Sequence, residues 1–442
     1  MDRKLFFKIF AIVGMSILLL VPLLMIEGQI SERGYRQSAV LADLARTSAE
    51  AQILIGPVVQ LRYREQVPEL LRADAIGEIP VRTLKTVERT LFIAPEALNI
   101  NGQARVETRQ RGIYQARLFH LDANMQSQFK VNVPADLPKD GVEATLLFGL
   151  SDPRGVDNDP EVQINGQAYR FVMDQGGDKE RDGGRNVTQL SIPLGHLDTG
   201  KAYPYEVKFP LQLTGTTQLS IAPVGDTNHI RLASSWPHPS FGGRFLPRER
   251  SVSKSGFEAS WEISHLARDF KQALTAGSGE VLAVNFIDPV NVYLQAERAV
   301  KYGVLFIVLT FAAFFLTEIL RRAPIHPLQY LLVGLALAIF FLLLIAFSEH
   351  MAFAAAYGLS AAACIGLIAW YLVGVFGSRQ RGAAFGAGLT GLYGVLYGVL
   401  LSEDNALLMG SLLLFIALGV VMLTTRRLDW YSLGQRGPKA PQ

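Results

Sequence analysis

The stretch Pro327-Leu-Gln-Tyr-Leu-Leu-Val-Gly-Leu-Ala-Leu-Ala-Ile-Phe-Phe-Leu-Leu-Leu-Ile-Ala-Phe-Ser-Glu-His350 decides the fold. From Tyr330 to Phe347 it carries no charge, and its length matches the roughly 20 residues an α-helix needs to cross about 30 Å of hydrocarbon. It is one of five such runs between about Ala299 and Thr424, separated by short polar breaks. Arg321, Arg322 and His326 follow the first run, Arg379 and Arg381 the third, and Arg426 and Arg427 the fifth. The intervening breaks, Ser348-Glu349-His350 and Ser402-Glu403-Asp404-Asn405, hold neither Lys nor Arg. Positive charge marks cytoplasmic loops, so the alternation predicts a bundle whose odd breaks face the cytoplasm and whose even breaks face outward.

Working outward, the N-terminus has Arg3, Lys4 and Lys8 ahead of an apolar run from Leu5 to about Ile26. That run is longer than a leader's usual core, and Met25-Ile26-Glu27-Gly28 offers no small-x-small cleavage site. It reads as an uncleaved signal anchor, with Pro22 positioned to kink it. The fold class expected is a mixed membrane protein. It has an all-α transmembrane bundle of six helices, one N-terminal anchor plus five C-terminal, and a large β-rich antiparallel periplasmic domain. The expected divisions are an anchor over 1–27, a periplasmic domain over 28–298, a five-helix bundle over 299–424 and a cytoplasmic tail over 425–442. Half of the 442 residues are hydrophobic and 18% charged, ordinary for such a protein. The net charge of +3 leaves no nucleic-acid footprint. The single Cys364 permits no intrachain disulfide, so the outside domain must be held by its core.

Helical spacing from Ser31 to about Leu54 predicts a helix leaving the membrane, and from Ile55 the period becomes two. Short alternating runs follow up to about Trp261, among them Ala104–Arg109, Tyr114–Asp122, Met125–Val133, Glu143–Ser151, Tyr203–Leu213 and Asn228–Ser234. Asn101-Gly102 and Asn165-Gly166 read as hairpin turns, since both central residues of a type I′ turn need φ > 0. Residues 174–186, rich in Gly and charge, read as a mobile loop. An antiparallel sandwich or curved open sheet is expected. A helix from Ile263 to Leu274 and strands at Val281–Phe286 and Val290–Gln295 lead into the bundle.

Two groups of candidate functional residues emerge. Trp236, His238, Phe241, Arg244 and Phe245 lie in a stretch stiffened by Pro237 and Pro239, which reads either as a rigid binding loop or as a crossover packing its aromatics into the sheet. Glu349, His350, Glu403 and Asp404 occupy the two outward breaks and would form an acidic cluster with an imidazole if their helices are neighbours. Glu318 is placed to pair with Arg321 and Arg322, and Gly394-x-x-x-Gly398 offers a smooth surface for helix contact. Asp152, Asp157 and Asp159 lack the ordered ligand loop of a calcium site and read as a solvated turn. There is no G-x-S-x-G elbow, H-E-x-x-H, P-loop or dinucleotide fingerprint. No catalytic residue, cofactor or metal site is assigned.

Ile55-Gly-Pro57, Gly112-Ile-Tyr114, Asp152-Pro-Arg-Gly155, Ser235-Trp-Pro-His-Pro-Ser-Phe241, His326-Pro-Leu-Gln-Tyr-Leu-Leu-Val-Gly334, Ser348-Glu-His350 and Arg427-Leu-Asp-Trp-Tyr-Ser-Leu433 resemble the CreD family of bacterial inner-membrane proteins. The resemblance covers nearly the whole chain. It implies a role in cell envelope integrity and in the response to wall stress such as β-lactams, under two-component control, and brings no catalytic residues. The first expectation is a non-enzymatic factor that binds a wall component, lipid or envelope protein through its outside domain. The competing ones are a transporter or lipid-handling protein using the outer acidic cluster, and a membrane-bound hydrolase.

Overall fold

The computed structural model describes residues 3–70, 82–138, 142–173, 187–274, 280–286, 291–321, 325–401 and 406–426. The loop 174–186, Glu403, Asp404 and the tail beyond Leu433 lie outside them. The chain divides into two compact units, 1–38 with 290–442, and 39–289.

The helices are α1 (Arg3–Leu18), α2 (Leu20–Thr47), α3 (Phe270–Ala273), α4 (Val292–Lys301), α5 (Gly303–Arg321), α6 (Pro327–Ser348), α7 (Phe353–Phe376), α8 (Arg379–Leu401) and α9 (Ala406–Thr425). Among the described residues five helical stretches are long and apolar enough to cross a membrane, or six if α4 and α5, bent by 40° at their junction, make one span. α1 and α2 break at Leu19 because Pro22 has no N–H for the carbonyl four residues back. Below the break Leu19, Leu23, Ile26 and Ile30 form one buried stripe at helical spacing. Gly334 and Gly303 leave room for it, since a Cβ on either would stand 2.1 Å from Leu19 and 2.9 Å from Leu23. α6 starts on a capping box: the His326 ring accepts from Leu328 N–H, Gln329 reaches back to His326 N–H, and Pro327 fills the first turn.

Close contact between α7 and α8 is made by Gly382-x-x-x-Gly386. A Cβ on Gly382 would meet Val373 at 2.5 Å and one on Gly386 would meet Ala369 at 3.2 Å. A Cβ on Gly394 would meet nothing within 4 Å and one on Gly398 would meet Met409 of α9 at an ordinary 3.5 Å, so the expected motif makes one loose contact and the close approach lies two turns earlier.

The second unit is a sandwich of two eight-stranded sheets. In chain order the strands are β1 (Gln52–Leu70), β2 (Arg82–Ile93), β3 (Ala97–Arg111), β4 (Tyr114–Asn132), β5 (Val142–Leu150), β6 (Glu161–Ile164), β7 (Gln167–Arg170) and β8 (Val172–Met173). They continue with β9 (Thr188–Leu197), β10 (Ala202–Thr216), β11 (Gln218–Ala222), β12 (Thr227–Ser234), β13 (Pro239–Gly243), β14 (Glu249–Ser253), β15 (Gly256–Ser264) and β16 (Leu282–Phe286). One sheet runs β13-β16-β11-β1-β5-β9-β8 with β2 attached to β1, and the other β14-β15-β12-β3-β4-β10-β6-β7. Their inner faces share one apolar core, where Phe148 of the first meets Phe209 of the second edge-on at 5.3 Å and Phe119 meets Phe286 at 5.1 Å. Burying each such side chain is worth about 1.5–3 kcal/mol.

Several expectations change here. The sheets are not purely antiparallel: β1 runs parallel to β11, and β3 to β12. Asn101-Gly102 is no turn but lies mid-strand, opposite Asn124 and Ala123. Gly102 is required instead by the core, since a Cβ there would stand 2.8 Å from Leu232. The β3–β4 hairpin turns at Gly112, φ +64°, and β4 runs unbroken through both predicted strands. Asn165-Gly166 does turn β6 into β7, with φ of 49° and 79°. Residues 263–274 form the end of β15, a 3₁₀ turn and the four-residue α3 rather than one helix. Of the predicted strand at 290–295, the described residues 292–295 begin α4, capped by Asn291, whose side chain accepts from Tyr293 and Leu294 N–H. α2 stops at Thr47, not near Leu54, because tertiary partners take its end: Arg154 donates to Arg46 O at 2.5 Å and Thr216 to Ala49 O at 2.5 Å.

Candidate functional site

The stretch 236–247 is a crossover strand. After β12 ends at Ser234 the chain passes to β13, the edge of the other sheet, and returns as β14. Phe241 stacks edge-on against Phe257 and Trp261 at 5.6 and 5.9 Å, the Trp261 indole donates to Phe245 O at 3.1 Å, and Arg244 pairs with the fully buried Glu280. Three of the five candidates are therefore committed to holding the crossover. Trp236 and His238 remain half-buried and exposed. Trp236 donates to His238 O at 3.0 Å, and the Arg117 guanidinium lies over its ring at 5.0 Å.

The bundle's polar ends are closed by two matching triads. α6 spans the bundle, and beside its start the Tyr330 hydroxyl donates to Glu318 at 3.2 Å while Lys8 of α1 pairs with the same carboxylate and donates to Ile325 O at 3.0 Å. The described partners of Glu318 are thus Lys8 and Tyr330, where the sequence pointed to Arg321 and Arg322. At the far end of α6, Arg33 Nη1 lies 3.2 Å from both oxygens of Glu349, and the Tyr293 hydroxyl donates to it at 3.2 Å. The Glu349 side chain is only 8% exposed. His350 next to it is exposed, and Glu403 and Asp404 lie outside the described residues. Lys8 and Arg33 are separated by about 37 Å of helix path at 1.5 Å per residue, close to the thickness of a bilayer with part of its headgroup layers.

Asp152 is no solvated turn. It is 5% exposed, and it accepts from Arg154 Nε at 2.9 Å, Arg154 Nη2 at 2.7 Å and Glu50 N–H at 2.9 Å. The Arg154 guanidinium, more than the Glu50 amide, holds its carboxyl below the usual range against the opposing pull of burial. Gly155 packs where a Cβ would stand 2.2 Å from Thr214 O and 2.5 Å from the Gln52 amide. Asp157 accepts from Thr214 Oγ1 at 2.5 Å, and Asp159 pairs with Arg170 at 3.3 Å. Among the described residues no three His, Cys, Asp or Glu gather as metal ligands would.

The outward face of β3, β4 and β10 was missed from the sequence. Ile100, Leu121, Ala123, Met125, Phe209 and Leu211 point into the core, so their neighbours point out. In register, Asn101 stands opposite Asn124 and Gln103 opposite Asp122, with Gln212 next to Asp122 on β10. These residues, with Pro210, line a polar groove of about 340 Å³. The signal was the alternation Asn99-x-Asn101-x-Gln103 and Asn124-x-Gln126-x-Gln128, hidden when Asn101-Gly102 was read as a turn. One rung along, His120 lies 2.7 Å from Thr214 Oγ1 and 3.2 Å from Glu107, a hydrogen bond that lowers the Glu107 carboxyl.

A multi-pass membrane bundle joined in one chain to a two-sheet sandwich is the class this fold defines. The chain matches the family described as inner membrane protein CreD over residues 4–431, and it belongs to that family. It is 35% identical over 455 residues to inner membrane protein CreD of Escherichia coli (strain K12), covering 100% of this chain and 97% of the relative. Among solved structures, an M1 zinc metallopeptidase from Deinococcus radiodurans covers 44% of this chain and 42% of its own, with 10% identity and a TM-score of 0.21. A mutant of that enzyme gives 11% and 0.22. Likenesses this distant say nothing about chemistry here.

Proposed function

We propose that the protein is a non-enzymatic envelope factor of the inner membrane, in which the bundle anchors and the sandwich binds a wall, lipid or protein partner. The observation that carries this reading is the closure of Glu349 by Arg33 and Tyr293. A carboxylate that handles a travelling proton or cation must exchange with water, whereas this one is shielded and held by a fixed cation. The same holds for Glu318 with Lys8 and Tyr330. Ion pairs at both ends of α6 also favour retention of the N-terminal helix as part of the bundle.

In this reading residues 1–27 are the anchor, 28–298 the periplasmic domain, 299–424 the bundle and 425–442 a tail, with both termini cytoplasmic as the basic breaks dictate. The role is support of envelope integrity under wall stress, including β-lactam stress, as the family resemblance implies. The test uses the full-length protein in nanodiscs and purified wall sacculi. Saturable capture by sacculi, unchanged in Glu349→Gln, is expected. Absence of capture together with a cation or proton flux abolished by Glu349→Gln refutes the reading in favour of transport.

A further inference from the structure

From the outward face of β3, β4 and β10, we infer a binding site for an uncharged glycan chain bearing N-acyl amides, the chemistry of linked N-acetylhexosamines. This rests on the wall-binding reading above and names its ligand class and its place.

The carboxamides of Asn101, Gln103, Asn124 and Gln212 are exposed and form no side-chain hydrogen bond with another described residue. Each offers two donors and an acceptor. Successive rungs on one face of a strand lie about 7 Å apart and neighbouring strands about 4.8 Å apart. The groove is therefore a flat grid of paired donors and acceptors. A sugar hydroxyl is likewise donor and acceptor at once, and an N-acyl group repeats the carboxamide's own pattern, so such a chain satisfies the grid without leaving charge behind.

Apart from Arg231 of β12, which is exposed in register with Asn101 at the edge of the groove, the charges beside the groove compensate one another. Arg105 is occupied by Asp122 at 2.9 Å, and Lys208 by Glu206 at 2.7 Å, which also takes Gln126 at 3.2 Å. A phosphate-rich or nucleic-acid partner needs uncompensated Lys and Arg, and a lipid tail needs an apolar floor. The groove's sides instead are carboxamides with the Asp122 carboxylate and Pro210. The grid continues along β3 and β4 to Asn99, opposite Gln126, which gives a long chain more than one place to bind.

With no aromatic ring in the groove to stack a sugar, a short fragment binds with a Kd on the order of 1 mM, and longer chains bind tighter through multiple contacts. The experiment titrates full-length protein in nanodiscs with a tetramer of β-1,4-linked N-acetylglucosamine, with its hexamer, with cellotetraose, which lacks the N-acyl groups, and with a sulfated anionic oligosaccharide. Saturable binding of the first two, at least tenfold weaker for the others and at least tenfold weaker in Asn101→Ala/Asn124→Ala, is expected. Arg36→Gln, in the exposed Arg36–Glu32 pair, serves as a control that keeps binding. Sacculi captured equally by wild type and Asn101→Ala/Asn124→Ala overturn this site while leaving the wall-binding reading standing. No capture of sacculi by either overturns both. Preference for the sulfated oligosaccharide overturns the neutral-glycan assignment.

Discussion

Breaking the Arg33–Glu349 pair tests whether the Glu349 end of the bundle is a lock. At 3.2 Å the Coulomb attraction is about 5 kcal/mol at an effective dielectric of 20. Arg33 is 43% exposed while Glu349 is 8% exposed, so water screens one partner, and the cost of drying the other offsets part of the gain. The net coupling expected is about 1–2 kcal/mol, above exposed surface pairs and below a fully buried one. It corresponds to a factor of about 5–30 in the unfolding equilibrium. The assay is a double-mutant cycle with Glu349→Gln, Arg33→Gln and both, read by equilibrium unfolding of the intact protein with a denaturing detergent in mixed micelles. Glu349→Gln keeps an acceptor for the Tyr293 hydroxyl and removes only the charge. Arg36→Gln is the control, because the Arg36–Glu32 pair is exposed on both sides and is expected to change stability by less than about 0.5 kcal/mol. Additivity of the two changes within about 0.3 kcal/mol would refute the lock, and with it the observation on which the anchoring role rests.

Gly155→Ala should destabilise the sandwich by about 2–3 kcal/mol, because a Cβ 2.2 Å from a backbone carbonyl of β10 cannot be relieved by a side-chain rotation. Hydrogen exchange in β1 and β10 should accelerate by roughly tenfold to a hundredfold, and unchanged exchange rejects the close packing. Asp152 has a folded pKa below its unfolded value. Its contribution is therefore full above the ordinary carboxylate pKa of about 3.9 and vanishes as pH falls through the folded value. Asp152→Asn should then cost about 1–3 kcal/mol at neutral pH, with the gap to wild type closing on acidification; a gap independent of pH denies the charged staple. Gly334→Ala drives a Cβ to 2.1 Å from Leu19 Cδ1 and should weaken the bundle by about 1–3 kcal/mol. Leu19→Ala should relieve that loss, so the double variant is less damaged than the sum. Strict additivity in detergent unfolding contradicts packing of the N-terminal helix against α6.

Much of the candidate chemistry was present in the sequence but assigned to the wrong neighbours. Glu318 was seen as paired, yet its cation, Lys8, lies 310 residues away and no local rule reaches that far. The 236–247 stretch was legible as rigid from its prolines. Whether its rings faced water or the core depended on Phe257 and Trp261 of a strand not yet placed. The carboxamide groove was visible as an alternation on each of two strands. It became a site only when the pairing register set Asn101 beside Asn124 and brought Gln212 in from β10.

Hydropathy alone located the helices long and apolar enough to cross a membrane, because insertion into lipid depends on the summed transfer energy of about 20 consecutive residues. Period-two alternation likewise located most strands of the sandwich, since it records which face is buried whatever lies opposite. Tertiary structure decided the rest. The local Asn101-Gly102 turn signal yielded to a mid-strand position because the core there had room for no side chain between Leu232 and Leu121. The parallel pairings of β1 with β11 and β3 with β12 were fixed by how two sheets fill one core. Residues 292–295 became helix once Asn291 capped them. Local sequence encodes preferences of a few tenths to about 1 kcal/mol per residue. Burial of whole side chains outweighs them, and which side chains meet is a property of the assembled chain.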